Sequence, residues 1–254
     1  MKEKFIDGIY NYCDRWCERC TFTSRCRNYE GPDISTEQLD MDNKAFWNNI
    51  SSNFEKAITL LHKIADERSI DLNAISPVET TEYEQRRSAI RIAAKEHILS
   101  KLSKQYRQTA MPFFETQISE ELVDKTRQLA SHLHMGMRSE EEVVHTMAGL
   151  GDCEEIIKWY LFFIDAKLQR ALHGKIEGEN QEVNNDFQRD SDGSAKVAII
   201  AIEKSIGAWT RLYELIPSSE DVALHSLSLL SQLKQKANEE FPMAIDFKRP
   251  GFDD

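Results

Sequence analysis

Residues 195–216 read Ala-Lys-Val-Ala-Ile-Ile-Ala-Ile-Glu-Lys-Ser-Ile-Gly-Ala-Trp-Thr-Arg-Leu-Tyr-Glu-Leu-Ile, and Pro217 follows. Ile199, Ile202, Ile206, Trp209 and Tyr213 recur at three- and four-residue spacing, which lays them along one face of a helix. A proline just past the last apolar residue is a stop signal. This is the most apolar segment of the chain, and its period is helical.

The same period recurs outward from it. Ser219 opens a last helix bearing Val222, Leu224, Leu227, Leu230 and Leu233. Residues 241–252 alternate aromatic and polar side chains and read as a tail docked on the helices. Upstream, Asp152 with Glu155 opens a helix carrying Ile156, Tyr160, Phe163 and Leu168, ending near Gly174. Ser139 with Glu142 has capping-box spacing and opens a short helix ending at Gly149 and Gly151. Another helix spans Ser119 to Gly136. Ser76-Pro77-Val78-Glu79 starts one that runs to Met111-Pro112, with Ala89, Ile92, Leu99, Leu102 and Tyr106 on one side. Phe46, Trp47, Ile50, Phe54, Ile58, Leu61 and Ala65 mark an amphipathic helix over 43–68. No alternating strand pattern and no internal repeat is present. The expected fold is all-α, a bundle of six or seven helices over 43–254. Residues 174–194, with only Ile176, Val183 and Phe187 as large apolar side chains, are expected to form a mobile surface loop.

Composition agrees. With 10 glycines and 6 prolines in 254 residues, the chain favours long helices over turn-rich sheets. The net charge of −11 argues against nucleic acid as a partner, because phosphate binding rests on unneutralised lysines and arginines. The longest apolar runs, 159–164 and 197–202, fall far below the ~20 residues of a membrane span. Lys2 and Lys4 are not followed by an apolar stretch of the secretory type. The expectation is a cytoplasmic protein off the membrane, with a protein partner or oligomer left open.

The first thirty residues stand apart. Four of the five cysteines, Cys13, Cys17, Cys20 and Cys26, lie within fourteen positions as C-x3-C-x2-C-x5-C. Packing scatters cysteines through a core; such clustering points to a shared metal, the more so in a reducing compartment. Were residues 5–20 helical, the first three sulfurs would lie at about 0°, 40° and −20° around the axis, with Cys26 returning as fourth ligand. Zinc in a closed tetrahedron and a cubane cluster both accept four thiolates. The expected organisation is a metal module over 1–30 packed on the bundle.

Residues 17–26, Cys-Glu-Arg-Cys-Thr-Phe-Thr-Ser-Arg-Cys, resemble the C-x2-C-x5-C segment that holds a [4Fe–4S] cluster in two groups. These are the endonuclease III and adenine glycosylases, and the iron–sulfur exonucleases, where an aromatic often sits two residues past the middle cysteine, as Phe22 does. The glycosylases have six residues before this trio; here there are three. The catalytic part of neither group occurs in the remaining chain. The resemblance therefore implies the cluster type, [4Fe–4S] ahead of zinc, and not DNA-repair chemistry. The C-x3-C-x2-C portion also equals the radical S-adenosylmethionine signature, whose run of parallel strands is absent here.

Three roles follow: a structural or redox-sensing metal protein, a redox enzyme with a second carboxylate and histidine site in the bundle, or a zinc-stapled protein-interaction module. The second site would draw on Glu96, His97, Glu203 and the Glu142-x-x-His145 pair. Glu142 already has a capping role, and Glu203 beside Lys204 can reach water. Gly149-Leu150-Gly151-Asp152 reads as a helix break, and Cys153 as a small core residue at a helix start.

Overall fold

A computed structural model describes residues 4–29, 42–72, 74, 77–178 and 188–253. They are all-α, with no strand among them. The helices are α1 (Lys44–Glu67), α2 (Pro77–Glu96), α3 (Ile98–Pro112), α4 (Ile118–His134), α5 (Glu140–Gly178), α6 (Asp190–Leu215) and α7 (Glu220–Glu240). No helix among the described residues is long and apolar enough to cross a membrane. The chain divides into one unit of residues 1–10 and 17–89 and a second of residues 11–16 and 90–254.

In the first unit, Asn43 caps α1 by accepting the Ala45 N–H at 2.9 Å, within a residue of the expected start. The helix ends at Glu67, with Arg68 as its C-cap and Ser69 at φ 53° after it. Its apolar residues Trp47, Phe54, Ile58 and Leu61 are all more than half exposed. Helix α2 starts at Pro77, as expected; the Ser76 cap lies outside the described residues.

The second unit is built on α5 and α6, which pack along each other, with α7 against α6 and α3 against both α5 and α7. Ile157, Ile164, Leu168, Ala198, Ile202, Trp209, Leu212, Leu230 and Leu233 fill the space between them. The helix foreseen from Pro77 to Pro112 is two helices. His97 takes an extended conformation (φ −64°, ψ 146°), and its Nδ1 accepts the Leu99 N–H at 3.3 Å, capping α3. Ser100 Oγ donates to the Ala94 carbonyl at 2.6 Å, covering an acceptor at the end of α2. The break rotates the apolar stripe: Ala94 is buried while Ile92 faces water. Pro112 does not stop the helix, because a π turn over Phe113–Gln117 absorbs its missing N–H and joins α3 to α4.

The largest departure is α5. Gly149 and Gly151 lie inside one 39-residue helix. Two glycines cost about 2 kcal/mol of helix propensity, less than the burial of Leu150, Cys153, Ile157 and Tyr160 on one continuous stripe returns. The helix break expected at Gly149–Asp152 does not form. The Ser139–Glu142 capping box is present: Ser139 N–H donates to Glu142 Oε2 at 2.8 Å, and Glu142 N–H to Ser139 Oγ at 3.2 Å. The ends of the expected 174–194 loop are helical, through Gly178 and from Asp190, and its middle lies outside the described residues.

The tail docks as expected. Phe241 and Phe247 are buried, and Lys196 Nζ donates to the carbonyls of Ile245 (3.2 Å) and Phe247 (2.7 Å). Arg249 grips Asp253 with Nε at 3.0 Å and Nη2 at 2.8 Å, and Lys196 stands 3.2 Å from the same carboxylate. The Arg249 hydrogen bonds hold the Asp253 carboxyl well below the ordinary carboxylate range, against the upward push of its burial. A carboxyl whose folded pKa is depressed stabilises the fold fully above its unfolded pKa of about 3.9, and loses that contribution as pH falls below it. Asp253→Asn is therefore expected to lower the melting temperature at pH 7. The difference from wild type should shrink as melts are repeated down to about pH 3. A constant difference across that range would show that Asp253 acts through shape rather than charge.

Candidate metal centre and the strap beside it

The cysteine segment is not helical. Short 3-10 turns at Ile9–Asn11, Cys17–Arg19 and Thr23–Arg25 alternate with irregular backbone, and Arg15 sits at φ 57°. A left-handed residue ends any right-handed helix, so the single face expected for Cys13, Cys17 and Cys20 does not form. Among the described residues, no three Cys, His, Asp or Glu side chains stand together in metal-ligand geometry.

Residues 17–26 form tight turns. Cys20 N–H donates to the Cys17 carbonyl at 3.1 Å, Arg25 N–H to Phe22 at 2.9 Å, and Cys26 N–H to Thr23 at 3.2 Å. Ile6 N–H donates to the Arg25 carbonyl at 3.0 Å, tying the start of the chain to the far end of these turns. The Phe22 N–H points at Cys20 Sγ, 3.4 Å away. Amide donors of this kind stabilise negative charge on sulfur. All four cysteines are partly buried and none forms a disulfide.

Residues 11–16 are a strap laid along α5 and α6, anchored through Tyr12, Asp14 and Trp16. Tyr12 hydroxyl donates to Asp190 Oδ1 at 3.0 Å, where Arg170 completes a two-pronged ion pair (2.7 and 3.0 Å). Burial first, then the Asp190 partner, pushes the Tyr12 phenol up to about 12. Asp14 Oδ2 accepts from Tyr160 hydroxyl at 2.7 Å and from Lys204 Nζ at 3.0 Å, and Lys204 also donates to the Tyr160 oxygen at 2.9 Å. Burial raises the Asp14 carboxyl, but these hydrogen bonds and the Lys204 charge outweigh it, and it settles below its ordinary value. Trp16 stacks on Trp159, ring centres 4.9 Å apart and 14° from parallel, while Trp159 Nε1 donates to the Asp14 carbonyl at 3.1 Å. Lys167 is buried beneath the strap and donates to the Asn11 carbonyl at 3.3 Å. Loss of hydration lowers its ammonium pKa, with Arg170 adding to the effect and the nearby Cys13 opposing it.

Asp14 and Lys167 were not singled out in the sequence, and Lys204 only as the neighbour of Glu203. Gly193 is a further anchor. A Cβ there would lie 2.5 Å from Phe247 Cζ and from Tyr12 Cε1, whose rings meet at 4.7 Å. Gly193→Ala gains about 1 kcal/mol of helix propensity but must push two rings apart, an overpacking cost of about 1–3 kcal/mol. The expected result is a net loss of stability, with faster hydrogen exchange confined to residues 11–16 and the tail. Uniform exchange, or a stabilised protein, would show that the rings yield freely.

The bundle candidates are scattered. Glu203 is exposed and pairs with Lys234 at 2.8 Å. Glu96 pairs with Lys101 at 3.0 Å at the end of α2. His97 caps α3 and faces Glu240 at 3.4 Å. Glu142 serves the capping box, and His145 is exposed. Glu203→Gln should change stability by less than about 0.5 kcal/mol and leave metal content untouched; metal loss in this variant would restore a second site. Cys153 is not at a helix start but buried within α5, where burial, then Asp152, raises its thiol. It is a core residue. No family model matches this chain, and no curated protein or solved structure matches it.

Proposed function

We propose that Cys13, Cys17, Cys20 and Cys26 hold one metal centre, a [4Fe–4S] cluster ahead of zinc, in a structural or redox-sensing protein. The observation that carries this reading is four of five cysteines within fourteen residues, all partly buried and none disulfide-bonded. The donor set fits both groups, since each takes four thiolates. The Phe22 N–H aimed at Cys20 Sγ supports a sulfur that carries charge. Cys13 enters the set on its place in the chain, three residues before Cys17. A metal that meets flexible thiol-bearing turns draws its ligands together as it binds, so site formation and local folding are one event. When bound, a cluster would supply one-electron redox chemistry and zinc would supply only closure.

Anaerobically purified protein is expected to be brown, with stoichiometric iron and acid-labile sulfide and a visible absorption that bleaches on reduction. Colourless protein with one zinc per chain would favour the second reading, a zinc-stapled interaction module. That alternative has one observation of its own, the exposed apolar residues Trp47, Phe54, Ile58 and Leu61 on α1. Protein holding neither metal would contradict both.

A further inference from the structure

A cavity of about 170 Å³ lies beside the strap. Val197, Ile200, Ala201 and Lys204, one face of α6, form its floor, and Phe252 adds to the apolar wall. Cys13, Asp14, Tyr160 and Arg249 supply its remaining polar edge. A water occupies about 30 Å³ in the liquid, so the space suits a ligand of about six non-hydrogen atoms.

The charges around it do not balance. Lys204 faces Asp14, while Arg249 and Lys196 share Asp253. Among the described residues that network sets three cations against two carboxylates and leaves one positive charge over. Lys204 directs two of its three N–H groups at Asp14 and Tyr160. Arg249 uses Nε and Nη2 on Asp253, which leaves Nη1 to donate. A guanidinium edge and an ammonium over an apolar floor match a planar carboxylate on a short alkyl chain. A single surplus charge matches a monoanion better than a dianion.

From this we infer that the cavity between α6, the tail and the strap is a binding site for a short monocarboxylate of two or three carbons. The inference does not depend on which metal, if any, the cysteines hold. The carboxylate accepts from Arg249 Nη1 and Lys204, and its alkyl part rests on Ile200 and Phe252. The ligand thereby lies next to Cys13, where it reports on the strap.

The test is calorimetric titration of the full chain, as purified, with sodium acetate and sodium pyruvate at constant ionic strength. Propionamide serves as the neutral control and inorganic phosphate as the dianion. The expected result is saturable binding of acetate or pyruvate, none of propionamide, and binding at least tenfold weaker in Lys204→Met and in Arg249→Leu. Because those variants also disturb the Asp14 and Asp253 pairs, Ile200→Phe is the companion: it fills the cavity, keeps every charge, and should abolish binding with little change in melting temperature. Carboxylate binding that survives Ile200→Phe, tighter binding of phosphate, or no saturable binding by wild type would overturn the assignment. Metal content should be the same in all three variants, which separates failure here from failure of the metal reading.

Discussion

Replacing Trp209 by alanine is expected to cost about 3–5 kcal/mol, the range for truncating a large buried aromatic. Trp209 is completely buried on α6, its ring centre 6.0 Å from that of Phe113 and 5.5 Å from that of Phe114, and its Nε1 donates to Tyr106 hydroxyl at 3.0 Å. The substitution removes the side chain around which the π turn is packed and takes away a partner of a buried phenol. Burial pushes that phenol up to about 12, so it stays protonated and polar at any working pH. Urea unfolding should show the loss as a lower midpoint with an unchanged slope. Trp209→Phe separates packing from hydrogen bonding. It should cost less, and adding Tyr106→Phe should recover part of the loss, because removing both partners is cheaper than orphaning one. A Trp209→Ala protein within about 1 kcal/mol of wild type would mean that the core closes around the gap, against the cavity cost expected of a rigid interior.

The helices were legible because their apolar period is strong. Ser139 and Ser219 marked starts within a residue or two, the apolar period over 43–68 placed α1, and Pro217 marked the end of α6. What misled was local punctuation outweighed by packing. Gly149 and Gly151 suggested a break, yet Leu150 and Cys153 belong to a stripe whose burial exceeds two glycine penalties. Pro112 suggested a stop, and a π turn accommodated it. In the opposite direction, nothing in the apolar period announced the break at His97, which rests on a side-chain cap and the Ser100–Ala94 bond. The cysteine segment misled through periodicity alone. Spacing that would align three sulfurs on a helix exists on a chain whose Arg15 is left-handed. The strap was hidden for a different reason: Asp14, Lys167 and Lys204 look like ordinary surface charges until the fold brings residues 156 and 190 positions apart together.

The metal content of single cysteine variants tests the central claim most directly. Cys13→Ser, Cys17→Ser, Cys20→Ser and Cys26→Ser, purified anaerobically beside wild type and Cys153→Ser, are to be assayed for iron, sulfide and zinc per chain. Loss of a ligand from a four-thiolate site removes most of the binding free energy that also folds it. Each of the four should therefore lose most of its metal, the visible band with it if the centre is a cluster, while Cys153→Ser keeps the wild-type content. Full occupancy in Cys17→Ser, or equal loss in Cys153→Ser, would contradict the account.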